Sequence, residues 1–294
     1  MHAVQVFRKL ESEDLRVLQV IEAALSKHEF VPKRLILKFS ESNSKDPSFR
    51  LKRLSKYRLI RSTKGAYVGY TLNYAGYDCL AIDALVKDEV LEALGNLLGV
   101  GKESDVYDAL DPEGERIAVK FHRLGRISFR QTIRKRGYTT EHVSWLFQSR
   151  IAAEKEFQAL KLAFPHEVAV PKPISWNRHT VVMNMIEGTE LAEYGKIQEP
   201  RKVLHEILLN LQKAYLRANI IHADLSEYNI ILKPDTHILI IDWPQYVSGD
   251  HPNAEELLTR DITNILQFFK RKHLLKLGLD EARAFVTGKS NLTM

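Results

Sequence analysis

The segment that most constrains the fold is a polar turn enclosed by apolar runs near residue 220. Residues 220–232 read as an apolar pair, the polar run His-Ala-Asp-Leu-Ser-Glu-Tyr-Asn and a second apolar run. A further apolar run, 238–241, ends directly in Asp242. Short apolar runs bounded by polar turns are typical of buried strands. The sequence therefore predicts buried strands whose polar ends carry three side chains, Asp224, Asn229 and Asp242.

These side chains are of the types that phosphoryl transfer with Mg²⁺ requires. Asp224 would orient, or deprotonate, the attacking group, and Asn229 would bind Mg²⁺ through its side-chain oxygen. Asp242 would supply a second hard oxygen ligand. Taken alone, His222 reads as a core histidine and Asp242 as a strand-end cap. Their order and spacing together favour a catalytic site.

A glycine-rich turn lies upstream, between two predicted strands. Residues 99–107 read Gly-Val-Gly-Lys-Glu-Ser-Asp-Val-Tyr, and the following strand ends at Lys120. Glycines let backbone N–H groups approach phosphate oxygens, and a lysine offers a charge to the α- and β-phosphates. A tight turn followed by a surface lysine is the simpler alternative. The predicted nucleotide-binding residues of this segment are Gly99, Gly101, Lys102, Glu103, Ser104, Val106 and Lys120.

The first ninety residues predict three helices followed by a hairpin, which is the element order of a winged helix. The helices are expected at 13–26, from Pro32 onward and at 48–57, and the strands at 59–62 and 67–72. Residues 47–77 contain no acidic side chain. Winged helices also bind proteins, so the element order is compatible with nucleic-acid binding and with protein docking. The predicted nucleic-acid contacts are Arg50, Arg53, Lys56, Arg61 and Lys64.

Composition limits the class of protein. The chain has 294 residues, 45% of them hydrophobic, a net charge of +6 and one cysteine, Cys79. A disulfide scaffold is excluded, and no apolar run approaches the length of a membrane span. A second stretch without acidic residues, 116–140, makes a phosphate-backbone partner more plausible. These features predict a cytoplasmic protein of about two domains. A monomer is expected, although the sequence leaves the oligomeric state open.

The motifs together resemble the Rio family of atypical protein kinases, and specifically its second subfamily. The segments that carry the resemblance are 101–107, 121–126, 128–130, 222–229 and 241–245. The resemblance implies an α+β fold in which an N-terminal winged helix precedes a bilobal, trimmed kinase-like domain. The implied divisions are a winged helix at 1–84, a linker helix at 85–97, an N-lobe at 98–187 with a flexible basic insertion at 123–148, and a C-lobe at 188–294.

The resemblance also assigns roles to single residues. Lys120 would pair with a helix glutamate, either Glu154 or Glu156. Glu156 is preferred because it shares a helix face with small and apolar residues. Met185 and Ile186 would contact the adenine at a hinge. Asp242 would accept the γ-phosphate and become an aspartyl-phosphate. The residue after Asp242 is Trp243, where phenylalanine is more usual. A helix beginning at residue 260 would brace the catalytic loop.

The function implied is an ATP- and Mg²⁺-dependent serine/threonine kinase, or an ATPase switch, in maturation of the small ribosomal subunit. Mn²⁺ is an alternative metal, and the expected partner is ribosomal RNA or a pre-small-subunit particle. Asp242 is followed by neither Phe-Gly nor Ala-Pro-Glu, so an ordinary peptide platform is not expected. The insertion offers candidate phosphate acceptors at Ser128, Thr132, Thr139, Thr140 and Ser144. The alternatives are a small-molecule kinase of the aminoglycoside or choline type, and a nucleotide-sensing RNA-binding module.

Overall fold

The computed structural model describes residues 1–40, 47–65, 67–125 and 139–291, without the side chains of Lys64 and of 139–144. These residues pack into two compact units. The first contains Met1–Ala153 and Trp176–Val182, and the second contains Glu154–Ser175 and Met183–Met294. The first unit includes residues on both sides of the predicted boundary at residue 84, so the predicted winged-helix, N-lobe and C-lobe divisions stay predictions.

The N-terminal part of the first unit has the predicted order of helices and hairpin. A three-stranded antiparallel sheet, in the order β1-β3-β2, packs with the helices around a core that includes Leu18, Ile21, Ile36, Leu54 and Leu72. Its elements are α1 (His2–Phe7), α2 (Ser12–Ala24), β1 (Val31–Pro32), α3 (Lys33–Ser40), α4 (Pro47–Lys56), β2 (Ile60–Lys64) and β3 (Val68–Leu72).

A buried helix, α5 (Tyr74–Lys87), follows the hairpin. It begins at Asn73, whose side chain accepts a hydrogen bond from the Gly76 N–H at 3.1 Å. A Cβ atom on Gly76 would lie 2.3 Å from the Leu59 carbonyl oxygen, so glycine permits the helix to approach the hairpin this closely. Cys79 is fully buried in the helix.

The predicted linker helix at 85–97 is wrong. Helix α5 ends at Lys87, and Glu89 has a left-handed backbone (φ 55°) that cannot continue a helix. Residues Ala93–Val100 instead form a strand, and Glu92 N–H bonds the Leu110 carbonyl at 2.9 Å. The backbone groups of this segment are therefore satisfied by strand pairing rather than by a helix.

A five-stranded sheet completes the first unit, and two of its strands run on into the second. The strand order is β4-β5-β6-β8-β7. Strands β5 and β6 pair antiparallel with Val106 opposite Lys120 and Ser104 opposite His122. A long helix, α6 (Thr139–Ala163), follows β6 along the chain. The strands are β4 (Ala93–Val100), β5 (Ser104–Leu110), β6 (Arg116–His122), β7 (Pro173–Asn177) and β8 (Thr180–Asn184).

The described residues of the second unit include the C-terminal part of α6, three helices that pack together and two small antiparallel sheets. One sheet has the order β12-β11-β9, and the other pairs β10 with β13. These short strands hold the polar segments that the motifs mark. The elements are β9 (Thr189–Glu190), α7 (Pro200–Leu216), β10 (Ile220–Ile221), β11 (Ile230–Leu232), β12 (Ile238–Ile240), β13 (Val247–Ser248), α8 (Ala254–His273) and α9 (Leu279–Val286).

Among the described residues, no helix combines enough length with enough apolar character to cross a membrane.

Candidate active site

The loop between β10 and β11 carries the predicted catalytic residues of the second unit. It opens with His222, which is fully buried and lies 3.0 Å from the Ile241 carbonyl through Nε2. Because a carbonyl oxygen only accepts, Nε2 of the imidazole carries a hydrogen and donates it. His222 therefore joins the start of this loop to the residue directly before Asp242.

Asp261 of helix α8 fixes the backbone of the same loop. Its two carboxylate oxygens accept hydrogen bonds from the Ala223 N–H at 2.7 Å and the Leu225 N–H at 3.0 Å. Burial raises the pKa of the Asp261 carboxyl above its ordinary value, and His222 and the two N–H donors oppose that shift. Ala223 is held in a left-handed conformation (φ 64°), which a non-glycine residue adopts only when its surroundings impose it.

Two more side chains of α8 support the loop. Asn264 donates to the Leu225 carbonyl at 2.9 Å, and the Arg260 guanidinium donates to the Ala223 carbonyl. The predicted bracing helix is thus present, but its predicted start is wrong. The helix begins at Ala254, so Arg260 and Asp261 lie on an inner turn. The first turn of this helix contains Glu255 and Glu256, whose negative charges are stabilised by the positive N-terminal end of the helix dipole.

Asn229 is oriented by the loop that it terminates. Its Nδ2 donates to the Asp224 carbonyl at 3.4 Å, and its Oδ1 accepts from the Ser226 hydroxyl at 3.1 Å. Its backbone carbonyl accepts the Ile241 N–H at 2.9 Å, next to the β11–β12 ladder. The Asp224 side chain is exposed, whereas Asn229 is buried. Strand pairing therefore brings Asn229 next to the residue that precedes Asp242.

Asp242 occupies a constrained position at the end of β12. Its backbone is left-handed (φ 67°), a conformation that costs about 1–3 kcal/mol for a non-glycine residue. The next residue, Trp243, is fully buried and donates its Nε1–H to the Ile240 carbonyl at 3.0 Å. Its ring also lies 4.6 Å from the His222 ring. Trp243 thus anchors the turn on one side of Asp242 and β12 anchors it on the other.

The donor set of this loop fits a hard divalent cation. Asn229 Oδ1 and the Asp242 carboxylate are oxygen donors of the kind that Mg²⁺ prefers, and Mg²⁺ commonly takes only one or two protein ligands. The hydrogen bond from Asn229 Nδ2 to Asp224 determines which end of the amide is the oxygen. That oxygen keeps a second lone pair beyond the one used by Ser226.

The glycine-rich turn in the first unit joins β4 to β5. The Gly101 N–H donates to the Ser104 carbonyl at 2.8 Å, which closes the turn. A Cβ atom on Gly99 would meet nothing within 4 Å, whereas one on Gly101 would lie 3.3 Å from Ser104 Oγ. The turn therefore leaves open space above its backbone, flanked by the exposed apolar side chains of Leu98 and Val100. Such a surface fits a ligand with both phosphate and ring components.

Lys120 lies beside this turn. It pairs across the β5–β6 ladder with Val106, so the two side chains share one face of the sheet. Lys120 is only 6% exposed. Lys102 and Glu103, at the tip of the turn, are exposed. A lysine buried on the face that bears the glycine-rich turn is suited to binding phosphate oxygens rather than to solvation.

The two candidate partners of Lys120 differ in burial. Glu156 is 2% exposed and Glu154 is exposed, although both belong to helix α6. A buried carboxylate needs a charged or hydrogen-bonding partner, whereas an exposed one is solvated. Burial therefore favours Glu156, and the pairing itself stays a prediction.

The predicted hinge follows β8. The backbone N–H of Asn184 donates to the Lys172 carbonyl at 3.0 Å, and the Asn184 side chain accepts the Lys172 N–H at 2.6 Å. Asn184 is thus bonded to the segment before β7, while Met185 and Ile186 beyond it are half-buried. The assignment of Met185 and Ile186 to adenine binding stays a prediction.

A buried polar cluster in the first unit was missed by sequence reasoning. The Arg123 guanidinium binds both carboxylate oxygens of Asp78, at 2.6 and 3.1 Å, and Asp105 at 3.2 Å. His179 lies 2.8 Å from Asp78 and stacks on the Tyr77 ring with centroids 4.5 Å apart. The resemblance places Arg123 at the start of the flexible basic insertion, but the residue is only 7% exposed. The one signal was its place in the motif at 121–126.

The predicted nucleic-acid contacts are divided by the structure. Arg50 and Arg53 were expected to face outward, but they pair with Glu11 at 2.6 and 2.5 Å and lie 3.4 Å from Asp14. Their charges are therefore compensated by the N-terminal turn of α2. The acid-free stretch concealed this because both acids lie far upstream in the sequence.

The remaining predicted contacts have different surroundings. Lys56 is exposed, as are its neighbours Lys52 and Arg58. Arg61 is half-buried, and burial lowers the pKa of its guanidinium. The side chain of Lys64 is not described, and neither are residues Ser128 and Thr132 or the side chains of Thr139, Thr140 and Ser144. The nucleic-acid role of these residues stays a prediction.

Comparison with known proteins identifies the family. The model of the RIO domain matches residues 105–282, and that of the Rio2 N-terminal region matches residues 7–88. The RIO-type serine/threonine-protein kinase Rio2 of Methanocaldococcus jannaschii is 42% identical over 272 residues, which cover 88% of this chain and 98% of that protein. The serine/threonine-protein kinase rio2 of Schizosaccharomyces pombe is 38% identical over a match that covers 93% of this chain and 80% of the S. pombe protein.

A solved structure agrees with this assignment. The match to the Rio2 kinase–ADP/Mg²⁺–phosphoaspartate complex from Chaetomium thermophilum covers 98% of this chain and 89% of the Chaetomium chain. The two chains are 33% identical, and the TM-score is 0.84. The predicted α+β class, with a winged helix before a kinase-like fold, is thereby confirmed. The two family models and the relatives above span both compact units of the chain, and the chain belongs to the Rio2 family of RIO-type serine/threonine-protein kinases.

Proposed function

We propose that this protein transfers the γ-phosphate of ATP, with Mg²⁺, first to its own Asp242 and then to a serine or threonine hydroxyl or to water. The observation that carries the proposal is the constrained position of Asp242. Its left-handed backbone lies between the end of β12 and the buried anchor Trp243. Strain of this kind persists where the surroundings over-determine it, and it is concentrated at functional sites.

Separate residues of the chain bind the nucleotide, hold the metal and position the loop in the proposed reaction. Lys120 binds the α- and β-phosphates, and the backbone of the turn at 99–104 contacts phosphate oxygens. Asp224 orients the attacking group. Asn229 and Asp242 hold the metal, which supplies charge neutralisation at the phosphates when bound. Asp261 and His222 position the loop without touching substrate.

ATP is the phosphoryl donor in the transfer step, and ADP is the leaving group. One carboxylate oxygen of Asp242 attacks the γ-phosphorus, the bond between the γ-phosphorus and the bridging oxygen breaks, and ADP leaves with that electron pair. A hydroxyl or water then attacks the acyl phosphate, loses its proton to Asp224, and regenerates the Asp242 carboxylate. The phosphoaspartate in the related Chaetomium structure supports the same assignment here.

We also infer that the physiological partner is ribosomal RNA within a maturing small subunit. The net charge of +6 and the exposed cations Lys52, Lys56 and Arg58 support a phosphate-backbone partner. The assignment to the ribosome follows from family resemblance.

The test is γ-labelled ATP with Mg²⁺, comparing the wild-type protein with Asp242→Asn. Label that is cleaved by hydroxylamine and is absent in Asp242→Asn would support the aspartyl-phosphate. Label that resists hydroxylamine and persists in Asp242→Asn would show direct transfer to a hydroxyl and overturn the two-step route. Asp224→Asn is the companion variant, because it should accumulate the labelled aspartate while slowing its loss. An absence of both label and phosphate release in the wild type would refute the kinase assignment.

A further inference from the structure

The contacts around Arg123 link the glycine-rich turn to helix α5, which follows the winged-helix hairpin directly. Arg123 comes immediately after β6, and its backbone N–H donates to the Glu103 carbonyl at 2.6 Å. Its guanidinium donates from Nε to Asp105 at 3.2 Å. Glu103 and Asp105 belong to the turn and the first residues of β5. One arginine therefore holds the glycine-rich turn through both backbone and side chain.

The other side of the guanidinium is bound by α5. Arg123 donates two hydrogen bonds to the Asp78 carboxylate. The Asp78 side chain is 5% exposed and the Arg123 side chain 8% exposed. A planar guanidinium with five N–H donors matches this geometry, which a lysine ammonium would not reproduce. Asp105 is itself only 13% exposed, so solvent screens neither contact strongly.

The surroundings keep this pair ionised. Burial alone would raise the pKa of the Asp78 carboxyl, but Arg123 and His179 outweigh it, and the pKa lies below the ordinary value. His179 is fully buried, and burial lowers the pKa of its imidazole to about 4. It is therefore neutral near pH 7 and donates Nε2–H to Asp78. The cluster thus has one fixed cation, and that cation is shared between α5 and the turn.

The same face of α5 also holds the chain beyond Arg123. Tyr74, one helical turn from Asp78, donates its hydroxyl to the Leu124 carbonyl at 2.8 Å. Ser149 accepts the Leu124 N–H at 3.0 Å and lies 2.8 Å from the Tyr74 hydroxyl. Arg123 cannot shift without disturbing Leu124. Its position, and with it that of Asp105, is set by α5.

We propose that Arg123 is a positioning residue for nucleotide binding, which holds the glycine-rich turn in place by joining Asp105 to Asp78 of helix α5. This inference rests on the proposed function, because it assumes that the turn at 99–106 binds ATP. It assigns to the helix that follows the winged-helix hairpin a direct influence on ATP affinity. Any ligand that shifts α5 is then coupled to ATP binding by the same residues.

Two single variants and matched controls test it. Asp105→Asn removes the charge on the side of the turn, and Asp78→Asn removes it on the side of α5. Each should raise the KM for ATP about tenfold, the scale of one lost hydrogen bond to a charged group, while kcat changes less than about twofold. Asp108→Asn is the control on the same strand, because Asp108 pairs with Arg116 at 3.0 Å at an exposed position. Asp83→Asn is the control on α5, because Asp83 pairs with Lys87 at 2.6 Å.

Amide hydrogen exchange of residues 101–106 provides a readout that a merely stabilising pair would not move. Both variants should speed exchange there, and the double variant should have no larger effect on KM than the stronger single one, because both act through one arginine. Arg123→Lys should restore only part of the affinity. A lower melting temperature with unchanged KM and unchanged exchange at 101–106 would overturn the proposal, as would strictly additive effects. Wild-type protein that fails to bind ATP would refute the proposed function instead.

Discussion

The ring of Trp243 packs against the imidazole of His222, with 4.6 Å between their centroids. The residue after Asp242 thus contacts the residue two positions before Asp224. This contact joins the two segments that carry the predicted base and nucleophile, and it explains why an aromatic residue follows Asp242. The larger ring also gains a hydrogen bond to the Ile240 carbonyl that phenylalanine could not make.

Replacing Trp243 by phenylalanine should lower turnover several-fold while leaving the affinity for ATP nearly unchanged. The smaller ring keeps the contact with His222 but loses the Nε1–H bond, worth about 0.5–1.5 kcal/mol. Single-turnover phosphate release would measure the effect. Phe268→Leu is the control, because it weakens a buried aromatic pair in α8 and should reduce thermal stability without lowering turnover. Equal loss of turnover in both variants would contradict a specific role for Trp243.

Asp261→Asn should reduce turnover by about ten- to a hundredfold, because hydrogen bonds to a charged group contribute about 1.5–3 kcal/mol each. An amide presents one oxygen to two backbone donors, so either the Ala223 or the Leu225 N–H loses its partner. ATP binding measured by calorimetry should persist. Simultaneous loss of binding and of the folded signal would instead show that Asp261 is needed for folding.

Glu156→Gln and Glu154→Gln form a matched pair on one helix. The buried Glu156 should matter and the exposed Glu154 should not, since only a buried carboxylate depends on a fixed partner. We expect turnover to fall at least about tenfold in the first variant and to remain within about twofold in the second. Steady-state kinetics at several ATP concentrations would decide. Comparable losses in both variants would refute Glu156 as the partner of Lys120.

The buried His179 predicts how stability depends on pH. The imidazole has a pKa of about 4 in the folded protein and the ordinary value near 6.5 when unfolded. Between these values the unfolded chain binds more protons, so stability falls as the pH drops from about 6.5 toward 4, by up to about 1.4 kcal/mol per pH unit. His179→Gln should flatten this slope in chemical unfolding, and His237→Gln, an exposed control, should not. An imidazole resonance of His179 that titrates near pH 6.5 would contradict the prediction.

The surface of α4 predicts a separation between RNA binding and stability. Lys52→Gln and Lys56→Gln should each lower the dependence of RNA affinity on salt concentration by about one counterion, with little change in stability. Arg50→Gln and Arg53→Gln should reduce stability instead, because their partners are Glu11 and Asp14. Filter binding at several salt concentrations and thermal unfolding measure the two effects. A salt slope that changes only in the arginine variants would place the RNA contact at Arg50 and Arg53 instead of Lys52 and Lys56.

Motif spacing predicted the positions that short-range chemistry determines. The segments around Asp224, Asn229 and Asp242 lie on the strand ends where the apolar runs indicated, because those runs pair within a few residues of each other. The glycine-rich turn and Lys120 likewise belong to adjacent paired strands. Local pattern is sufficient when the partner is the neighbouring strand.

Long-range pairing was beyond reach of the same reasoning. The acid-free stretch predicts Arg50 and Arg53 as nucleic-acid contacts, yet α2 brings Glu11 and Asp14 against them. The resemblance places Arg123 in a flexible insertion, whereas the structure pairs it with Asp78, 45 residues upstream. A charge pattern indicates how many charges a segment has, and only the packed chain shows which of them are neutralised.

The two compact units are not consecutive pieces of the chain. The backbone passes from one unit to the other after Ala153, again after Ser175 and a third time after Val182. The first crossing falls within helix α6 and the other two within β7 and β8. Cutting the chain at one peptide bond therefore cannot yield both units intact. Limited proteolysis should leave nicked protein whose fragments stay associated under native conditions, and neither half is suited to separate expression.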